Sequence, residues 1–173
     1  MFKTIPYIAE KVWGYERWIV STHEVGQSMI DTSVDVIGGK KINEVVGENY
    51  PLLIKIIQAN QTLSVQVHPG DDYAKRVENT YGKTECWYIL DAEKNATLVC
   101  GLKKKYTQKE LERLIANNKF EECLRYVPVQ KGDFVFMPAG TVHSIQGGLR
   151  ILELQEPSDI TYRLYDWGRK REM

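Results

Sequence analysis

The chain has only three histidines, His23, His68 and His143, and two of them sit among other potential metal ligands. Residues 63–69 read Leu-Ser-Val-Gln-Val-His-Pro. In an extended strand alternate residues share a face. Leu63, Val65 and Val67 then point one way, and Ser64, Gln66 and His68 the other. Residues 83–88, Lys-Thr-Glu-Cys-Trp-Tyr, open a second strand with Lys83 and Glu85 on one face. Residues 132–145 read as a strand, a Pro-Gly turn and a further strand that carries His143. Imidazole and carboxylate are common zinc ligands, and a Gln carbonyl oxygen is a rarer one. Together Gln66, His68, Glu85 and His143 offer two nitrogens, two oxygens and one formal negative charge. A divalent metal held by them keeps net positive charge and can polarise a substrate oxygen. For Gln66 and His68 alone, the plainer reading is a polar face in contact with water. His23 lies outside these segments and reads as a surface or packing residue.

The elements that would hold such a site are mostly strands. Residues 18–21, 28–31, 52–58, 63–68, 85–90, 97–101, 134–138, 151–155 and 161–165 are rich in Val, Ile, Leu, Tyr and Trp. Gly, Asn and Pro punctuate them. So many short strands predict a sandwich or closed barrel. Thr107 with Glu110 forms a capping box that opens a helix, whose apolar face is Leu111, Leu114 and Ile115. That helix should fade at Asn117 and Asn118. Shorter helices are expected at 71–77, capped by Asp71 or Asp72, at 120–124 and at 41–46. The segment 166–173 reads as a solvated basic tail.

Lys plus Arg and Asp plus Glu both number 23 in a chain of 173 residues. This balance argues against a nucleic-acid partner, which usually demands a basic excess. No run approaches the roughly 20 apolar residues of a membrane span, and the N-terminus has no signal-peptide pattern. The cysteines Cys86, Cys100 and Cys123 are odd in number and form no C-x-x-C pair, which points to reduced thiols and a cytoplasmic setting. Cys86, inside the apolar run 86–90, is expected in the core.

The order Q-x-H-P-x-D-x-Y-A, G-K-T-E-x-W-Y and G-D-x-x-x-x-P-x-G-x-x-H-x-I resembles the type I mannose-6-phosphate isomerases of the cupin superfamily. So does the later stretch 152–166, and the resemblance runs from about residue 52 to 166. It implies a mainly β cupin barrel with a few peripheral helices, forming one metal-binding domain over residues 1–173. It implies zinc held by Gln66, His68, Glu85 and His143. It also implies interconversion of mannose 6-phosphate and fructose 6-phosphate through an enediol or enediolate, with Arg163 as a fixed cation near the reacting carbons. By strand alternation Glu153 is the candidate base. Lys83, on the face of Glu85, is a candidate for holding substrate oxygen, and Ser64 for contacting the phosphate. The plainer roles are an ion pair of Arg163 with Asp159 or Asp166, an edge-strand carboxylate at Glu153, a solvated Lys83 and a structural Ser64. Family members usually continue into a second cupin-like domain. The competing expectation is therefore a non-catalytic zinc cupin that binds a sugar or sugar phosphate. Self-association as a homodimer through an exposed barrel end is a further expectation.

Overall fold

The alternation read from the sequence becomes two antiparallel sheets in the computed structural model, which describes residues 2–169. The strands are β1 (Thr4–Ile5), β2 (Tyr7–Lys11), β3 (Gly14–Val20), β4 (Met29–Ile30), β5 (Leu53–Ala59), β6 (Val65–Val67) and β7 (Glu85–Ala92). They continue as β8 (Thr97–Leu102), β9 (Leu124–Pro128), β10 (Phe134–Met137), β11 (His143–Ile145), β12 (Leu149–Gln155) and β13 (Tyr162–Tyr165). One sheet runs β10-β7-β12-β5-β3-β2 and the other β13-β6-β11-β8-β9, with β1 and β4 as a small separate pair. This is the mainly β, cupin-type architecture expected from the sequence.

Between the sheets lies a core that includes Ile57, Trp87, Ile89, Leu98, Ile145 and Ile151. Strand period explains who enters it. On β12 Leu149, Ile151, Glu153 and Gln155 are buried and their neighbours are not. On β7 Glu85, Trp87 and Ile89 are buried. That alternation leaves Cys86 on the outer face, partly exposed, which corrects the expectation of a core cysteine. The pattern Leu63, Val65, Val67 is also broken. Val65 packs outside the five-stranded sheet, whereas Leu63 precedes β6 and joins the inner core.

Among the described residues three helices lie outside the sheets: α1 (Asn43–Val46), α2 (Asp71–Val77) and α3 (Gln108–Ala116). The capping box of α3 forms as expected. Thr107 Oγ1 accepts from the Glu110 amide at 3.3 Å, and Glu110 Oε2 accepts from the Thr107 amide at 2.7 Å. A 3-10 turn, Phe120–Cys123, follows α3 and runs straight into β9. Phe120 and Cys123 seal the outer face of the five-stranded sheet with Val65, Val99 and Leu124. Asp71 does not cap α2; Gly70 holds the N-cap position, and Asp71 Oδ1 instead accepts from the Gly82 amide at 2.9 Å. The hairpin β2–β3 adds strand structure ahead of residue 18, where the sequence pattern predicts none. The segment 166–169 folds back, with Trp167 Nε1 donating to Leu63 O at 2.6 Å and Arg169 paired to Asp166 at 2.6 Å. Its expected solvated character corrects to packed for those residues; 170–173 lie outside the described residues.

Candidate metal centre and its cavity

Cross-strand register builds the centre. His143 on β11 lies opposite Gln66 on β6, and Gln66 lies opposite Arg163 on β13. Three chemically capable side chains therefore stand abreast on one rung. His68 follows at the end of β6, and its carbonyl accepts from the Gly140 amide at 2.7 Å, which ties the Pro-Gly turn to the β6 end. Gly140 takes a φ of 84°, a left-handed conformation that suits glycine. Glu85 enters from β7 of the opposite sheet. Its approach depends on Gly82, where a Cβ would lie 2.5 Å from the Asp71 amide nitrogen.

Each histidine is fixed by its far nitrogen. His68 Nδ1 donates to Ile160 O and His143 Nδ1 to Thr141 O, each at 2.8 Å. Those bonds leave both Nε2 lone pairs aimed inward, the arrangement that orients a metal-binding imidazole. Glu85 Oε1 lies 3.2 Å from His143 Nε2, and Glu85 Oε2 lies 3.6 Å from His68 Nε2. Metal bonds of about 2.0–2.1 Å at tetrahedral angles separate ligand atoms by about 3.4 Å. His68 Nε2 and both Glu85 oxygens are buried without a hydrogen-bond partner. Buried polar atoms without hydrogen bonds are costly; Lys83 Nζ, 3.3 Å from Glu85 Oε2, offsets part of that cost, and a cation at their common focus would satisfy the rest. The side-chain amide of Gln66 lies 3.3 Å from His143 Nε2, and a half-turn of that amide presents its oxygen to the same point. The residues present thus fit a divalent metal, and His68, Glu85 and His143 form the compact group able to hold one.

The electrostatics agree. Burial, helped by the charge of Lys83, drives His68 down to about 2, and burial drives His143 down to about 4. Both rings are neutral near pH 7, as ligation requires. Burial pushes the Glu85 carboxyl up to about 7, against the pull of Lys83, whose Nζ lies 3.3 Å from Glu85 Oε2. Lys83 is buried, so the solvated reading of it does not hold.

Beside this centre opens a cavity of about 350 Å³, lined among others by Gln66, Lys83, Arg163, Lys55, Glu16 and His23. The volume is within the range of small-molecule sites. Arg163 Nε donates to Ser64 Oγ at 3.1 Å. Ser64 thus orients the guanidinium, while Asp166 pairs with Arg169. His23 is a cavity residue, its ring edge-on to Trp18 and its Nε2 3.8 Å from Asp159.

Glu153 occupies a central strand, so the edge-strand reading of it fails. Its carboxylate pairs with Lys55 at 3.0 Å and accepts from Trp87 Nε1 at 2.9 Å. Burial alone would raise its pKa; the Lys55 and Lys83 charges overcome that and hold it at about 2. Glu153 reaches the cavity through Lys55, which sequence reasoning missed. Alternation on β5 puts Lys55 inside, between Leu53 and Ile57, and a lone buried-face lysine in an apolar strand was the available signal.

Residues 1–99 match the family described as phosphomannose isomerase type I, catalytic domain. The chain is 39% identical to mannose-6-phosphate isomerase ManA of Bacillus subtilis strain 168, an alignment covering 95% of this chain and 60% of that relative. The chain therefore spans about three fifths of that relative's length. Its fold is similar to the crystal structure of the Bacillus subtilis mannose 6-phosphate isomerase, with a TM-score of 0.88 and 32% identity over 97% of this chain and 62% of that one. A mannose 6-phosphate isomerase bound with zinc and yttrium shares the fold at a TM-score of 0.67 and 14% identity, over 95% of this chain and 70% of that one.

Proposed function

The chain belongs to the type I phosphomannose isomerase family, and from that premise we propose that it is a zinc-dependent aldose–ketose isomerase acting on mannose 6-phosphate and fructose 6-phosphate. The observation that carries this reading is a buried His68–Glu85–His143 ligand group placed directly behind a cavity whose wall carries Gln66, Lys83, Lys55 and Arg163. His68, Glu85, His143 and the amide oxygen of Gln66 would hold the metal, which when bound would supply Lewis-acid polarisation of the substrate carbonyl.

The chain's own residues do the rest. Isomerisation moves a proton between C2 and C1, and negative charge develops on O1 and O2 of the substrate. Arg163, Lys83 and Lys55 are cations already fixed by Ser64, Glu85 and Glu153, so they need little reorganisation as that charge develops. Lys55 is raised above its ordinary value: burial pushes it down, but Glu153 and Glu16 push it up further. It therefore acts as a charged donor near neutral pH. Glu153 is engaged twice and off the cavity wall, so in this reading it anchors Lys55. The proton-acceptor role passes to Glu16 because it stands on the cavity wall, although its Oε2 also accepts from Trp18 Nε1 at 2.6 Å and lies 3.6 Å from Lys55 Nζ.

A coupled assay on mannose 6-phosphate, with metal analysis of the same sample, tests the proposal. Turnover that tracks zinc content supports it. A zinc-loaded chain that binds the sugar phosphate without turnover would establish the non-catalytic reading instead.

A further inference from the structure

The helical layer is one-sided. α3 and the 3-10 turn pack on the five-stranded sheet. The outer face of the six-stranded sheet carries two apolar rungs set by strand register. Phe134, Tyr88, Leu152, Ile56, Arg17 and Ile8 stand side by side across β10, β7, β12, β5, β3 and β2. The adjacent rung is Phe136, Cys86, Leu154, Ile54 and Val20. Phe134 is 65% exposed, Phe136 61%, Ile8 46% and Tyr88 43%. The one charge on these rungs is Arg17, whose Nε is shielded from solvent and has no hydrogen-bond partner. The next row is polar, with Asp91, Arg150, Gln58, Tyr15 and Glu10 in lateral register. An apolar centre with a polar border is the anatomy of a protein interface.

We propose that a second copy of this chain docks on this face, sheet to sheet, about a two-fold axis parallel to the strands and between β12 and β5. Six strands make this arrangement self-complementary, because the axis exchanges first with sixth, second with fifth and third with fourth. Phe134 then covers Ile8 of the partner subunit, and Leu152 covers the partner's Ile56. Tyr88 covers the partner's Arg17, which gives that guanidinium, whose Nε lacks a hydrogen-bond partner, an aromatic face and a hydroxyl acceptor. On the second rung Leu154 meets the partner's Ile54, and Cys86 meets the partner's Val20. In the border row Arg150 faces the partner's Gln58 and Asp91 the partner's Tyr15, so no like charges oppose each other. At strand spacings of about 4.8 Å the face measures roughly 24 Å by 20 Å, or about 500 Å² in projection. That is below the about 800 Å² per partner of a standard stable interface, so the dimer is weak.

Sedimentation velocity of the full metal-loaded chain from about 1 to 200 µM tests the association. The expected result is a shift from monomer to dimer across that range. The double variant Phe134→Glu/Phe136→Glu, at exposed positions, should move the midpoint at least tenfold higher. The face is tested by Val20→Cys in a Cys100→Ser background with a short bismaleimide. Cys86 of one copy and the thiol introduced by Val20→Cys in the other should cross-link into a covalent dimer. Within one chain the same two positions stand three strands, roughly 14 Å, apart. This arm decides the proposal even if the double glutamate variant does not fold. A chain that stays monomeric at the highest concentration overturns the proposal. So does a dimer that ignores the glutamates, or one that fails to cross-link because its copies join edge to edge at β10.

Discussion

Arg163 and its hydroxyl partner separate orientation from charge at the scale of single residues. Arg163→Ala should keep metal content and melting temperature while lowering kcat by about a hundredfold to a thousandfold, the usual cost of one preorganised donor. Arg163→Lys should recover only part of that loss, because an ammonium lacks the planar fork that Ser64 holds. Ser64→Ala leaves the guanidinium present but less fixed, so its defect should be smaller than that of Arg163→Ala. Equal activity of Arg163→Ala and the parent in the mannose 6-phosphate assay would remove Arg163 from the reaction. The ligands are read differently. His68→Ala and His143→Ala each delete an inward Nε2, and zinc per chain, measured by elemental analysis after dialysis, should fall well below that of the parent. Full zinc retention in the double variant would place the metal elsewhere.

The central strands β5, β7 and β12 carry a buried charge system, Lys55–Glu153 with Trp87, at the scale of elements. Neutralising Glu153 leaves the buried Lys55 with Glu16, 3.6 Å away, as its remaining carboxylate, and removes one charge-assisted hydrogen bond, which costs about 1.5–3 kcal/mol. Glu153→Gln should therefore lower stability by that order even though its shape is conserved, and denaturant unfolding measures it. The pH dependence follows from the sign of the shift. Glu153 is held at about 2, below the ordinary 4.5, so its stabilisation is fully present above pH 4.5 and is lost as pH falls towards 2. Glu153→Gln should flatten the parent's loss of stability over that interval; unchanged acid sensitivity would contradict the assignment. Solvent-hydrogen exchange at C2 of the substrate separates the carboxylates, since Glu16→Gln should abolish it and Glu153→Gln should reduce it only through Lys55. The turn before β7 offers a steric test. Gly82→Ala forces a Cβ against backbone at Gly70 and Asp71, at 2.6 Å and 2.5 Å. A strain of about 1–3 kcal/mol and weaker zinc retention should result, because the same turn delivers Lys83 and Glu85.

The candidate ligands span both sheets at the scale of the whole molecule, Glu85 on β7 of one, His143 on β11 of the other and His68 just after β6, so a metal held by them would tie the sheets together. Chelation should consequently lower the melting temperature of the entire chain in one transition. Readdition of zinc should raise it with concentration, as expected for a ligand that binds only the folded state. A melting temperature indifferent to chelator would mean that the sheets are held without it. Among the described residues, no helix is long and apolar enough to cross a membrane. With α3 and the 3-10 turn on the five-stranded sheet, the six-stranded face is the surface proposed to receive a second copy.

Strand period and residue type were enough to foresee much of this. Alternation put Gln66 with His68 and Lys83 with Glu85, because a strand's period of two is local and needs no partner. The capping box at Thr107 and Glu110 was legible for the same reason. The candidate ligand set could be named because carboxylate, amide and imidazole chemistry resides in the side chains themselves. Other features depended on contacts across long sequence separations. Cys86 looked like core until the sheet decided which face of β7 turned outward. Glu153 could be read as a candidate base or as an edge-strand carboxylate, and only the fold showed that it lies on a central strand with Lys55, far from it in sequence, 3.0 Å away. Lys55 and His23 belonged to no motif, yet both line the cavity beside Arg163. Burial and pairing are properties of the assembled sheets, so only the tertiary structure could decide whether each charged group faced substrate space, a metal ligand or a buried counter-charge.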